Sequence, residues 1–176
     1  VNPDTTINTN GAVYDLDLNQ DNTSDFQMRL NLFPGSSNYL SGKALNANAI
    51  AQNAGNMLEL NSGAVIDGNL SWVPAGNWRM KGSFSFNMGN ISGDWPGAVD
   101  KYMALKIDVS GQTYYGWARL DVAADVSSFT IKDFAYNTWL NQPIVAGQVA
   151  GIYESPESKN IFIHSQDKNV YVTLKD

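Results

Sequence analysis

Residues Tyr102–Val109 and Thr113–Val122 read YMALKIDV and TYYGWARLDV, and Ser110-Gly111-Gln112 stands between them. A period of two places Met103, Leu105, Ile107 and Val109 on one face of the first segment and Lys106 and Asp108 on the other, the pattern of a half-buried strand. A short break containing Gly between two such runs predicts a tight hairpin. This pair sets the character of the chain, because an apolar strand face must be covered by another layer.

Strand-like runs recur at Val13–Leu18, Phe26–Phe33, Asn56–Leu60, Trp78–Met88, Phe129–Tyr136, Asn160–His164 and Asn169–Leu174, separated by clusters of Gly, Asn, Pro and Ser. Many short strands at this spacing predict an all-β fold, an antiparallel β-sandwich of jelly-roll-like form. Only Ala44–Ala54 could be helical, and its Asn content argues for a strand or an irregular segment. Near Gly147 the character changes. We read residues 1–147 as the sandwich, 148–159, which contain ESPES, as a linker, and 160–176 as a small C-terminal β-hairpin extension.

Composition narrows the function classes. The net charge of −6 argues against nucleic acid, whose recognition starts from a basic patch. There is no cysteine, so neither disulfides nor thiolate metal sites contribute. No apolar run approaches membrane-spanning length, which argues against membrane insertion. The wealth of Asn, Gly, Ser and Thr, with 16% charged residues and 11% aromatics, suits an extracellular or cell-surface β-protein, and Val1 suits the start of a mature form.

The segment Asp15–Phe26, DLDLNQDNTSDF, carries the strongest chemical signal. Asp17, Asn19, Asp21 and Asp25 fall at positions 1, 3, 5 and 9 of a calcium-loop pattern, and the Thr23 carbonyl can supply position 7. Asn22 stands at position 6, where the chain must turn sharply through a positive φ, and Asn is a common substitute for Gly there. Position 12 is Met28 rather than a bidentate Glu, and the flanks alternate like strands. An open Ca2+ loop between two strands is therefore expected instead of a helix-loop-helix switch, with Asp15 as a further donor only if it turns inward. An Asn/Asp-rich hairpin turn is the plainer reading, since these residues favour turns through local hydrogen bonds. The number of carboxylates, whose repulsion a cation would relieve, favours the metal.

At DLNQDNTSDF, KYMALKIDVSGQTYYGWARLDV and FTIKDFAYNTWLNQPIVAG the chain resembles secreted β-sandwich modules of Bacteroidota and related bacteria. The resemblance implies an exported, calcium-stabilised module and does not imply catalysis. The tail NIFIHSQDKNVYVTLKD resembles the first two strands of the C-terminal sorting domain that directs cargo through type IX secretion, which implies the secretion machinery as a partner of this region. Such domains are several times longer than this tail. A terminal hairpin that completes the main sandwich is the alternative.

Catalysis finds little support. Sugar hydrolysis asks for two carboxylates across a cleft, yet of three Glu two lie in the linker, leaving Glu59 with Asp108, Asp121 or Asp133, which alternate as outward strand residues. The single histidine, His164, cannot build a zinc site from imidazoles. Trp72, Trp78 and Trp95 lie near Gly, Pro or Asn turns, where an exposed ring could stack on a sugar, although packing at the core edge is the commoner role. Trp117 and Tyr136 read as members of one core. The sequence thus predicts a secreted, non-catalytic surface, adhesion or assembly module. The alternatives are a carbohydrate-binding module that takes glycans on loop tryptophans, and a subunit that assembles with copies of itself into a filament or surface layer.

Overall fold

The structure, a computed structural model, describes residues 4–76, 79–85, 90–148, 161–166 and 169–174. The chain begins with a short strand, β1 (Thr5–Ile7), then lays down the meander β2 (Val13–Leu16), β3 (Phe26–Asn31) and β4 (Ser37–Ala44). It crosses to the opposite sheet as β5 (Ala49–Asn53) and continues through four short strands, β6 (Asn56–Met57), β7 (Glu59–Leu60), β8 (Val65–Ile66) and β9 (Trp72–Pro74). β10 (Arg79–Ser85) returns to pair with β4, and β11 (Asn90–Ser92) pairs beyond it. The longest elements follow as a second meander, β12 (Lys101–Val109), β13 (Gln112–Val122) and β14 (Phe129–Tyr136). β15 (Ile144–Val145) pairs with β8, and β16 (Ile161–Gln166) pairs with β17 (Asn169–Leu174) as a two-stranded sheet of its own.

The result is an antiparallel sandwich, with one sheet ordered β11-β10-β4-β3-β2 and the other β1-β14-β13-β12-β5-β6. The predicted hairpin is present: Lys101 to Val109 run in register against Leu120 to Gln112. Ser110 at φ +55° and Gly111 at φ +80° form the two-residue turn whose twist matches that of the flanking strands.

Two apolar clusters flank β12 and β13, so a strand whose alternation predicts burial on one face is covered on both over its middle. Between the sheets, Leu16, Phe26, Met28, Leu30 and Leu40 meet Met103, Leu105, Ile107, Leu120, Phe129 and Ile131, all buried. Truncating one of these, as in Leu105→Ala, removes contacts on every side and costs about 2–5 kcal/mol. On the outer face, Tyr102, Ala104, Tyr115 and Trp117 pack with Ile66, Ile144 and Ala146, so the middle of this sheet is buried on both sides. Tyr102 meets Trp117 edge to face at 5.2 Å, and the Trp117 indole donates to the Gln148 carbonyl at 3.1 Å. Tyr136 packs against the inner cluster while Trp117 belongs to the outer one, so the two do not share a core as their sequence had suggested.

Within 44–54 the chain is a strand end, a turn with Asn46 at φ +53°, and β5. The predicted strand Trp78–Met88 is described only over β10. Among the described residues no helix is long and apolar enough to cross a membrane.

Candidate metal loop

The loop between β2 and β3 is positioned from below. Leu16 opposes Phe26 in the strand pair, and Leu18, two residues on, is buried in the inner core at 1% exposure. Gly116 on β13 makes that insertion possible, because a Cβ there would sit 2.9 Å from Leu18 Cδ2, 2.7 Å from the Ala135 carbonyl and 2.9 Å from Tyr136 Cβ. With Leu18 held inward, the alternation leaves Asp17 and Asn19 part-exposed on either side of it.

The polar side chains then fold the loop on itself. Asp17 accepts the Asp21 amide through Oδ1 at 3.1 Å and the Asn22 amide through Oδ2 at 2.7 Å. Asn19 Oδ1 accepts the same Asp21 amide at 3.1 Å, and Asn19 Nδ2 donates to Asp21 Oδ2 at 3.0 Å. Asp21 Oδ1 in turn accepts the Thr23 amide at 2.8 Å. Asn22 adopts φ +69°, as its place in the pattern requires, and Gln20 does the same at φ +60°. The side chains of Asp17, Asn19 and Asp21 therefore converge, two of their oxygens on a single amide.

Asp25 does something else. Only 7% exposed, it accepts the Leu18 amide through Oδ2 at 2.9 Å and the Asn48 side-chain amide through Oδ1 at 2.9 Å. Burial pushes its carboxyl above the usual range, against the pull of the Leu18 amide and Asn48, and the charge of Asp21 adds to the rise. Asp21 is held below the usual range by its hydrogen bond from Asn19, and next by the Thr23 amide. Asp15 turns away, its Oδ1 accepting from the Gln27 side chain through Nε2 at 2.8 Å across the strand pair. Met28, at position 12, is fully buried in the core. No group of three acidic or histidine side chains close enough to hold a metal forms among the described residues.

Asn48 is the functional-looking residue that the sequence did not single out. At 1% exposure it donates to the Asp25 carboxylate and carbonyl, and its Oδ1 accepts the Asp108 amide on β12 at 2.9 Å. It ties the end of the loop to the opposite sheet. An Asn in a polar segment, LNANAI, carries no signal of burial until the partner strand is known.

The tryptophans divide. Trp95 has no exposed surface, and its indole donates to the Met57 carbonyl at 3.0 Å, so it is a core residue and not a display surface. Trp72 is half-buried, stacked on Tyr115 at 5.8 Å, with its indole donating to the Asp67 carbonyl at 3.0 Å and Lys106 Nζ 5.4 Å from its ring. Trp78 lies outside the described residues. The exposed ring is Trp139, at 65%, which the sequence reading left unassigned.

Of the carboxylates considered for catalysis, the three Asp are committed elsewhere. Asp108 caps the Gly111 amide at 2.8 Å, Asp121 pairs with Lys132 at 2.7 Å, and Asp133 with Arg119 at 2.7 Å. Glu59 lies 3.6 Å from Lys101, burial raises its carboxyl, and its Oε2 has no hydrogen-bond partner among the described residues. The chain matches no family model, no curated protein and no solved structure.

Proposed function

We propose that this chain is a secreted, non-catalytic surface, adhesion or assembly module whose first long loop takes up structural calcium. The observation that carries the reading is the convergence of Asp17 and Asn19 on the Asp21 amide, with the Asp21 carboxylate drawn to Asn19 and Asn22 turning the chain at positive φ. Asp17, Asn19, Asp21 and the Thr23 carbonyl would hold the ion, and water would complete its shell of six to eight oxygens. Asp25 serves as the post that fixes the loop's end, because it is buried and its carboxylate is turned inward to the Leu18 amide and the Asn48 side chain. The ion's chemistry is neutralisation of charge. The segment from Asp15 to Asp25 contains four carboxylates and no basic residue, and amide donors lower the energy of each carboxylate without removing their mutual repulsion.

A loop with few acidic ligands binds weakly, which fits a compartment where calcium is abundant, and the resemblance to exported modules supplies that setting. The test is thermal unfolding in calcium and in chelator. At a calcium concentration about ten times Kd, the melting temperature should rise by about 3–6 °C for a chain of this size. An unchanged melting temperature across millimolar calcium would overturn the metal.

A further inference from the structure

We infer that the cleft beside the loop, lined by Asn19, Val109, Tyr114, Tyr136 and Thr138, binds a neutral saccharide, and that the exposed Trp139, which follows Thr138 in the chain, takes part in holding it. The cleft measures about 200 Å³, room for one sugar ring, and none of its five lining residues is charged. Tyr114 and Tyr136 meet edge to face, with ring centres 6.4 Å apart and planes at 89°, giving it an aromatic wall. Tyr114 donates to Gln112 Oε1 at 2.9 Å, whereas the hydroxyls of Tyr136 and Thr138 make no hydrogen bond to another described residue. A sugar ring offers an apolar C–H face to aromatic carbon and hydroxyls to unpaired polar groups. A purely apolar ligand would bury the Tyr136 and Thr138 hydroxyls unpaired, and an anion would meet no cation among the lining residues while lying next to Asp17 and Asp21 in the chain.

Trp139 supplies the second observation. Its backbone is pinned: the Asn137 side chain donates to the Pro143 carbonyl at 2.8 Å and accepts the Trp139 amide at 3.0 Å, and the Asn141 amide reaches the Thr113 carbonyl at 2.9 Å. The ring therefore stands exposed on a fixed loop one residue beyond Thr138, an aromatic face on which a sugar would stack. The inference goes beyond the calcium reading and does not need it, since four of the five lining residues lie outside the Asp17–Asp25 loop.

The experiment is calorimetry and tryptophan fluorescence with cello-, xylo-, manno-, malto- and chito-oligosaccharides, and with oligogalacturonate as the acidic control, in calcium and in chelator. At least one neutral series should bind, and Trp139→Ala and Tyr136→Ala should each weaken it about tenfold or more through loss of stacking area. Trp139→Ala should leave the melting temperature nearly unchanged, because the ring is mostly exposed. No binding by any neutral series, binding confined to oligogalacturonate, or binding indifferent to Trp139→Ala would each overturn the saccharide cleft. Sugar binding that persists with no calcium effect on melting would support the cleft and overturn the metal alone.

Discussion

Asp121 on β13, Asp133 on β14 and Asp100, just before β12, share two cations: Arg119 lies 3.0 Å from Asp100 and 2.7 Å from Asp133, and Lys132 lies 2.8 Å from Asp100 and 2.7 Å from Asp121. In the β2–β3 loop, Asp17, Asp21 and Asp25 are instead held by backbone amides and by the side chains of Asn19 and Asn48. The first group is offset by opposite charge, two cations against three carboxylates, so a metal has less repulsion to relieve there. The second is organised by neutral donors that shape the loop while leaving its charge in place. Acid clusters that look alike in composition therefore differ in what they can do: one is a strap across neighbouring strands, the other is a shaped anionic loop that calcium would complete.

The largest test of that contrast cuts the loop from the core. Asn48→Ala removes the donor to Asp25 and the acceptor for the Asp108 amide, leaving buried polar groups unpaired in both sheets. We expect a loss of about 2–4 kcal/mol, read as a lower urea midpoint at unchanged slope. A loss near zero would mean that the loop end is not anchored to the opposite sheet through this residue.

Next in size is Asp21→Ala, which should abolish the calcium-dependent rise in melting temperature of about 3–6 °C while leaving the calcium-free protein close to wild type. Retention of the full rise would remove Asp21 from the ligand set. Smaller still is Arg119→Gln. The pair with Asp133 is bidentate but about a third exposed, so solvent screening limits the loss to about 0.2–1 kcal/mol. The calcium response should be unchanged. If this variant instead gained a second calcium transition, charge balance alone would separate the two clusters, and loop shape would matter less than argued above.

How much of this was legible follows from where the constraints lie. The β12–β13 hairpin could be read because its alternation and its Ser-Gly turn are local signals. The loop was equally local, and the Asn22 turn follows from spacing. β4, SNYLSGKA, escaped notice because Asn38 and Ser41 are buried polar residues whose partners, the Asp125 and Arg29 carbonyls, are distant in sequence. At Gly42 an added Cβ would strike Met57, a crowding visible only after folding. Trp95 sits in a GDWPG turn, for which packing at the core edge was the commoner role and sugar display the alternative, and it is wholly buried, its indole on the Met57 carbonyl of β6. Trp139, which follows β14 and to which the sequence assigned no role, is left in solvent by the tertiary structure.

The smallest effect, and the sharpest test of the loop's charge state, is the titration of Asp25. Burial raises its carboxyl in the folded protein, so the folded state holds the proton more tightly than the unfolded chain does. The contribution of this group therefore opposes folding above its folded pKa, and stability from this source returns as pH falls through that value toward the ordinary one of about 3.9. Asp21, Asp100 and Asp125 are shifted the other way, so their stabilisation is lost as pH falls, and the total curve mixes both signs. The difference between wild type and Asp25→Asn isolates the single group: in chelator, wild type should recover stability relative to the variant on mild acidification. Calcium at Asp21 would cancel the repulsion that Asp21 exerts on Asp25 and lower the Asp25 carboxyl, so the relative recovery should shrink when calcium is present. An equal recovery with and without the ion would show that no cation enters the loop near Asp21.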